Sequence, residues 1–209
     1  MIRVDRGQPP DILTQRRAEW LAAWRAAATP KQRAQALAKY RHPGIRDALR
    51  EAFCGKCAYC ESETEGVTWG HIEHYRPRSA FPERAFDWDN LLWACPRCNS
   101  DHKKGHFPEA ADGGPILDPC DDLPADHLVF DYDPVARLAN VYGRTTRGTT
   151  TVDLLQLNRP ELRARRSLHA MVLAFLARRA GTDPEARALL DELKRSRTRY
   201  AAFARALDP

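Results

Sequence analysis

Two Cys-x-x-Cys pairs, CAYC at residues 57–60 and CPRC at residues 95–98, constrain this chain more than any other feature. Two residues between cysteines let both sulfurs of a pair reach one ion. The pattern therefore predicts a single structural zinc site on Cys57, Cys60, Cys95 and Cys98, its coordination closed by four thiolates. Cys54 stands three residues before Cys57 and competes for the first pair, whereas Cys120, alone in the sequence, reads as a small buried hydrophobe. Six cysteines would also suit a disulfide framework in a secreted chain. However, the N-terminus MIRVDRGQPPDILTQRR lacks the apolar core of a secretory signal, and no apolar run approaches the roughly 20 residues of a membrane span. The expectation is a cytoplasmic protein with reduced thiols.

The 209 residues are 43% hydrophobic and 29% charged, which suits one ordinary domain or a small module with helical additions. From residue 137 onward there are fifteen Lys/Arg against seven Asp/Glu, a basic third that suggests contact with phosphates or an acidic partner. Residues 1–53 read as a helical lead-in. Leu13, Arg17, Trp20, Leu21 and Trp24 recur at helical spacing, Thr29-Pro30-Lys31-Gln32 forms a capping box, and Ile45, Leu49, Ala52 and Phe53 give a third short helix. Residues 54–110 hold both cysteine pairs and only short strand-like runs, Val67 to Ile72 and Leu91 to Ala94. Residues 111–150 read as a loop-rich connection with turns at Asp118-Pro119, Asp133-Pro134 and Tyr142-Gly143. Residues 151–209 return to helix, with an apolar stripe of Leu168, Met171, Val172, Phe175 and Leu176 and a capping box at Thr182 to Glu185. The expected class is α+β, a mainly helical chain around a small zinc-stabilised core. No Walker A motif is present, so nucleotide hydrolysis would need a partner.

Between the cysteine pairs lie Glu73-His74 in HIEHYRPRS and Asn90 after an aromatic loop, and Asn99 follows the second pair in CPRCNSDHKKG. This ordered set resembles the HNH endonuclease family, whose ββα-metal fold packs two short strands and a helix around one divalent ion. The resemblance covers residues 57 to about 107 and implies metal-dependent hydrolysis of phosphodiester bonds, DNA foremost. Residue by residue, it makes His74 the general base, Glu73 and Asn99 ligands of a catalytic magnesium or manganese, and Asn90 the residue that fixes the imidazole or its loop. Glutamate stands where the family more often has aspartate, and Asp101 and His102 lie within one turn of Asn99, so His102 is a further candidate ligand. Arg76, Arg78, Lys103 and Lys104 are candidate phosphate contacts, while His71 reads as structural or substrate-contacting.

The chemistry has a reason of its own. Phosphodiester cleavage needs an activated water, neutralised phosphate charge and a stabilised leaving oxygen. Neutral imidazole can take the proton, while carboxylate and carboxamide oxygens suit a hard cation.

Further segments, among them WDNLLWACPRCNSDHKKGHFP at 88–108, PILDPCDD at 115–122 and TVDLLQLNRPELRARR at 151–166, are similar to the PtuB-like nuclease subgroup of Septu-type and retron-associated anti-phage systems. That similarity implies a partner ATPase of the ABC or SMC-like (PtuA-like) type. The competing readings are a non-cleaving zinc module that binds nucleic acid or protein, and an RNase.

Overall fold

The computed structural model describes residues 1–64 and 69–207, with helices at both ends and two small antiparallel sheets between them. Helix α1 runs Asp11–Ala26 and buries Leu13, Trp20 and Leu21. Arg17 turns outward along this helix to pair with Asp87. Helix α2, Pro30–Leu37, starts at the expected capping box, in which Gln32 N donates to Thr29 Oγ1 at 3.2 Å and Thr29 N donates to Gln32 Oε1 at 3.1 Å. A 3₁₀ turn, Ala38–Arg41, leads to His42, whose Nδ1 accepts from Gly44 N and caps helix α3, Pro43–Ala52. Helix α3 buries Ile45 and Leu49 against the first sheet.

That sheet consists of β1, His71–His74, and β2, Leu91–Ala94, in antiparallel register with His71 opposite Ala94 and His74 opposite Leu91. The first strand is shorter than the sequence suggested, and Val67 lies outside the described residues. Gly70 enters the strand where a Cβ would stand 2.1 Å from the Trp93 ring, so only glycine permits this approach. After β2 the second cysteine pair opens a helical segment, Arg97–Lys103, wound as a π-helix and closed by a bond from Lys104 N to Asn99 O at 2.7 Å. Wide helical turns of this kind recur at functional sites. Two strands and a helix thus surround the cysteines in the order expected.

The segment 111–150 departs from its loop-rich reading. A short helix α4, Pro124–His127, runs into a hairpin of β3, Leu128–Asp133, and β4, Leu138–Gly143. Asp133-Pro134 does make the turn: Asp133 Oδ1 accepts from Val135 N at 2.8 Å and Ala136 N at 3.0 Å. Leu128, Ala139 and Val141 are buried beneath helices α5, Thr146–Leu154, and α6, Pro160–Arg179, and this packing stabilises strands whose own alternation is weak. Tyr142-Gly143 is strand end rather than turn. Its glycine is required because the Thr149 backbone passes within 2.1 Å of where a Cβ would be.

Helix α6 also corrects the sequence reading. Its buried face is Leu162, Arg166, Ser167, Ala170, Leu173 and Leu176, so only Leu176 of the expected stripe turns inward. Arg166 is held inside by the carbonyls of Ala139 and Leu157 and by Asn158 Oδ1, at 2.7 to 3.1 Å. Satisfied in this way, a guanidinium can occupy a core position that hydropathy would assign to leucine. Helix α7, Pro184–Leu193, is capped by Asp183 rather than Thr182, with Asp183 Oδ1 accepting from Glu185 N and Ala186 N. Helix α8, Ala201–Leu207, packs on β3 and α6. No described helix is long and apolar enough to cross a membrane.

Candidate active site and metal centre

The four cysteines meet as their spacing requires. Their sulfurs all lie within 4.8 Å of one another, every one is buried, and none is in a disulfide. Cys60 Sγ and Cys95 Sγ stand 3.8 Å apart. Zinc–sulfur bonds of about 2.3 Å in a tetrahedron separate the sulfurs by about 3.8 Å, so the donor set fits a closed zinc site in both chemistry and size. Backbone and hydroxyl groups turn toward it: Cys98 N donates to Cys95 Sγ, and Ser62 Oγ lies 3.3 Å from Cys60 Sγ. Arg159 reaches in from the start of α6, with Nη2 3.7 Å from Cys98 Sγ. Burial works against the guanidinium charge there, but the thiolates of Cys98, Cys60 and Cys95 outweigh it and raise the Arg159 pKa. The arginine thus offsets part of the negative charge that four thiolates around one zinc would leave. Cys54 is exposed and outside this cluster, and Cys120 is half-buried elsewhere.

A cleft of about 830 Å³ opens along β1, and Glu73, His74 and Asn99 all line it. Successive residues of β1 face opposite ways, and the two site residues accordingly meet different neighbours. His74 packs edge-on against the Tyr40 ring at 4.6 Å, and its Nε2 lies 3.0 Å from the carbonyl of Ala85. A carbonyl can only accept, so Nε2 carries the proton and Nδ1 is left as the acceptor. Burial lowers the His74 pKa to about 4, with Arg78 and Lys103 adding to the effect, so the ring is neutral at physiological pH. A neutral imidazole with one committed nitrogen and one basic nitrogen can take a proton from water.

Glu73 faces the π-helical segment and forms a 2.6 Å ion pair with Lys103. Burial pushes its carboxyl up, and the Lys103 charge pulls against that. Lys103 is only 1% exposed and also donates to the His74 carbonyl at 2.9 Å. Of the basic candidates, this lysine is therefore internal: it joins the strand to the helix beneath the cleft. Replacing it with methionine leaves Glu73 buried without a counter-charge, and the expected cost is about 3–5 kcal/mol of stability, read from denaturant melts.

Asn90 is buried and holds the loop after β1. Its Oδ1 accepts from Arg76 N at 2.7 Å, and its Nδ2 donates to the carbonyls of Arg76 and Arg84 at 3.1 and 3.0 Å. Of its two expected duties, fixing the imidazole or the loop, the structure shows the loop. The same loop carries Ala85, which holds the His74 ring, so the two duties are connected. Arg76 stacks on Phe107 and Phe81, at 5.1 and 5.7 Å, and does not line the cleft. Arg78 does line it, its guanidinium 5.3 Å from the Tyr40 ring, and so does exposed Lys104. His71 is exposed at the cleft edge. His102 does not line the cleft, and burial together with the nearby Arg159 charge lowers its pKa. Sequence reasoning missed the opposite wall, formed by Tyr40, Arg41 and Arg46 from the N-terminal region. Their helices carry a clear core pattern, and nothing in it signals that this end closes over β1.

The arrangement agrees with comparison to known proteins. The family model described as HNH endonuclease matches residues 57–105. Those residues form an HNH domain. The cysteine cluster, β1, β2 and the π-helical segment all fall inside it. Beyond the HNH domain, the chain is similar to two proteins named Septu protein PtuB. It is 30% identical to that of Bacillus mycoides (strain KBAB4) over 154 residues, 61% of this chain and 51% of that protein. It is 36% identical to that of Bacillus thuringiensis over 118 residues, 56% of this chain and 42% of that protein. It is also 30% identical, over 138 residues, to a part making up 18% of the Septu protein PtuA of Bacillus mycoides (strain KBAB4). The chain thus spans about half the length of the PtuB proteins it matches.

Proposed function

We propose that this chain is a metal-dependent HNH endonuclease that cleaves DNA as the nuclease component of an anti-phage system. The observation that carries this reading is the state of His74: neutral, held by the Ala85 carbonyl, with Nδ1 free to act as a base in a cleft that Glu73 and Asn99 also line. Asn99 offers a carboxamide and Glu73 a carboxylate, hard oxygen donors of the kind magnesium or manganese takes, and the ion would have to share the Glu73 carboxylate with Lys103. A bound divalent ion would supply charge neutralisation at the phosphate and the leaving oxygen. His74 receives the proton of the attacking water, and Asn90 keeps the loop that orients its ring. Arg78 and Lys104 hold the phosphodiester at the cleft mouth. Tyr40, packed edge-on against His74, buttresses the imidazole from the opposite wall. The tetrathiolate cluster would bind structural zinc and hold the two strands to the helix.

The similarity to PtuB supports the anti-phage assignment. The similarity to part of PtuA supports a working association with a PtuA-like protein, in our reading an ABC or SMC-like ATPase. The decisive assay incubates the purified chain, alone and with such a partner, with DNA and with RNA in magnesium, manganese or chelator. Metal-dependent DNA cleavage is the expected result. Cleavage of RNA alone would reassign the substrate, and retention of nucleic acid without cleavage under every condition would reduce the chain to a binding module.

The two arginines of the loop should separate in the same assay. Arg78→Ala is expected to raise the substrate KM several-fold and flatten its salt dependence, because it removes a phosphate contact. Arg76→Ala should leave KM near wild type and lower the melting temperature, because it removes packing on Phe81 and Phe107.

A further inference from the structure

Leu168, Met171, Val172 and Phe175 are 65%, 41%, 48% and 49% exposed on the outer face of α6. They follow one another at i, i+3, i+4 and i+7, forming a continuous apolar stripe about 10 Å long. The fold does not need it, because Leu162, Ala170, Leu173 and Leu176 already pack the opposite face of the helix. Single exposed apolar residues are ordinary, but four in helical register are the pattern by which one helix face is recognised by another.

The charges around the stripe restrict what can cover it. Between Glu161 and Asp183 the chain has no acidic residue and five arginines. Arg166 is consumed inside the fold. Arg165 lies one turn before Leu168, and Arg178 and Arg179 lie one turn after Phe175, so cations bracket the stripe on its own face. Arg179 stacks on the Phe175 ring at 5.2 Å and lies 3.7 Å from Asp183. Among the described residues, Arg165 and Arg178 have no ion-pair partner.

We propose that this stripe docks a second, different protein through an amphipathic helix whose apolar residues match the stripe and whose ends carry aspartate or glutamate. A second copy of this chain is disfavoured. A two-fold pairing of the stripe with itself brings arginine against arginine, whether the helices run parallel or antiparallel. A lipid surface is disfavoured because the bracketing arginines continue the apolar face, whereas interfacial helices keep their cations on the polar one. Nucleic acid would neutralise the arginines but gain nothing from the apolar side chains. The inference stands apart from the nuclease reading, since the stripe and the cleft share no residue.

The test uses the full chain and a fluorescently labelled helical peptide with leucines at i, i+3 and i+7 and glutamates at both ends. Anisotropy should report saturable binding. Phe175→Glu or Val172→Glu should weaken it about tenfold or more, with melting temperature and zinc content unchanged because both residues are exposed. The pair Arg165→Glu and Arg178→Glu should shift preference to a lysine-ended version of the same peptide, which a merely structural role would not do. Three results would each overturn the proposal. One is equal binding of both peptides by the wild-type chain. Another is a sedimenting dimer that Phe175→Glu converts to monomer. The third is stripe-dependent binding to phosphatidylcholine vesicles containing phosphatidylserine.

Discussion

His74→Ala should lower DNA cleavage by about 10²- to 10⁴-fold, the range a general base contributes. The effect on folding should be far smaller. The substitution removes an edge contact with Tyr40 and leaves the buried Ala85 carbonyl without its donor, which costs about 1–3 kcal/mol. Zinc content should stay at the wild-type level, because His74 is not one of the four residues, all cysteines, that would hold the ion. His74→Gln separates the two contributions, since its amide can still donate to the Ala85 carbonyl but cannot act as a base. Both variants should be inactive, with the glutamine form melting closer to wild type. If either one cuts at the wild-type rate, His74 is not the base.

Cys95→Ser should produce the opposite pattern, loss of the fold with its metal. A serine hydroxyl stays protonated at neutral pH and does not replace a thiolate as a zinc ligand. The remaining three cysteines cannot close the site, and the binding energy that zinc contributes to folding, about 10–16 kcal/mol in small zinc peptides, is forfeited. The consequences extend beyond the cluster. Arg159, 8% exposed, would be left buried near sulfurs that no longer need its charge. The expected result is a zinc content near zero and no cooperative thermal transition for the HNH domain, and chelation of the wild-type protein should reproduce it. Wild-type zinc content and melting in Cys95→Ser would overturn the structural role of the cluster.

The two variants also mark where sequence reading was strong. Cys-x-x-Cys geometry is set by the reach of a few backbone bonds, so the grouping of Cys57, Cys60, Cys95 and Cys98 was legible without tertiary information. The strand Leu91–Ala94 and the capping box at Thr29 were legible for the same reason. The outcome was different wherever a side chain had to choose among distant partners. Lys103, read as a surface phosphate contact, is an internal counter-ion of Glu73. Arg76 and Arg78, two residues apart in one loop, divide between aromatic packing and the cleft. Arg147, Arg159 and Arg166, all counted in the basic C-terminal third, are absorbed by Asp122, the thiolates and backbone carbonyls. Three of those fifteen cations therefore serve the fold, and the count of arginines overstated what remains for partners.

The hairpin and the outward stripe were misjudged for a related reason. Strands β3 and β4 owe their stability to burial under α5 and α6, and short alternating runs do not show that cover in advance. Helix α6 is apolar on two faces, and periodicity alone cannot rank which of them turns inward.

The sequence by itself determined the donor atoms, their order along the chain and the chemistry they can perform, because those follow from side-chain identity and short-range backbone reach. Only the tertiary structure decided which nitrogen of His74 is free, which cation neutralises Glu73 and which apolar face of α6 stays exposed. Each of those depends on a neighbour brought from far along the chain, such as the Ala85 carbonyl, Lys103 or the β3–β4 hairpin.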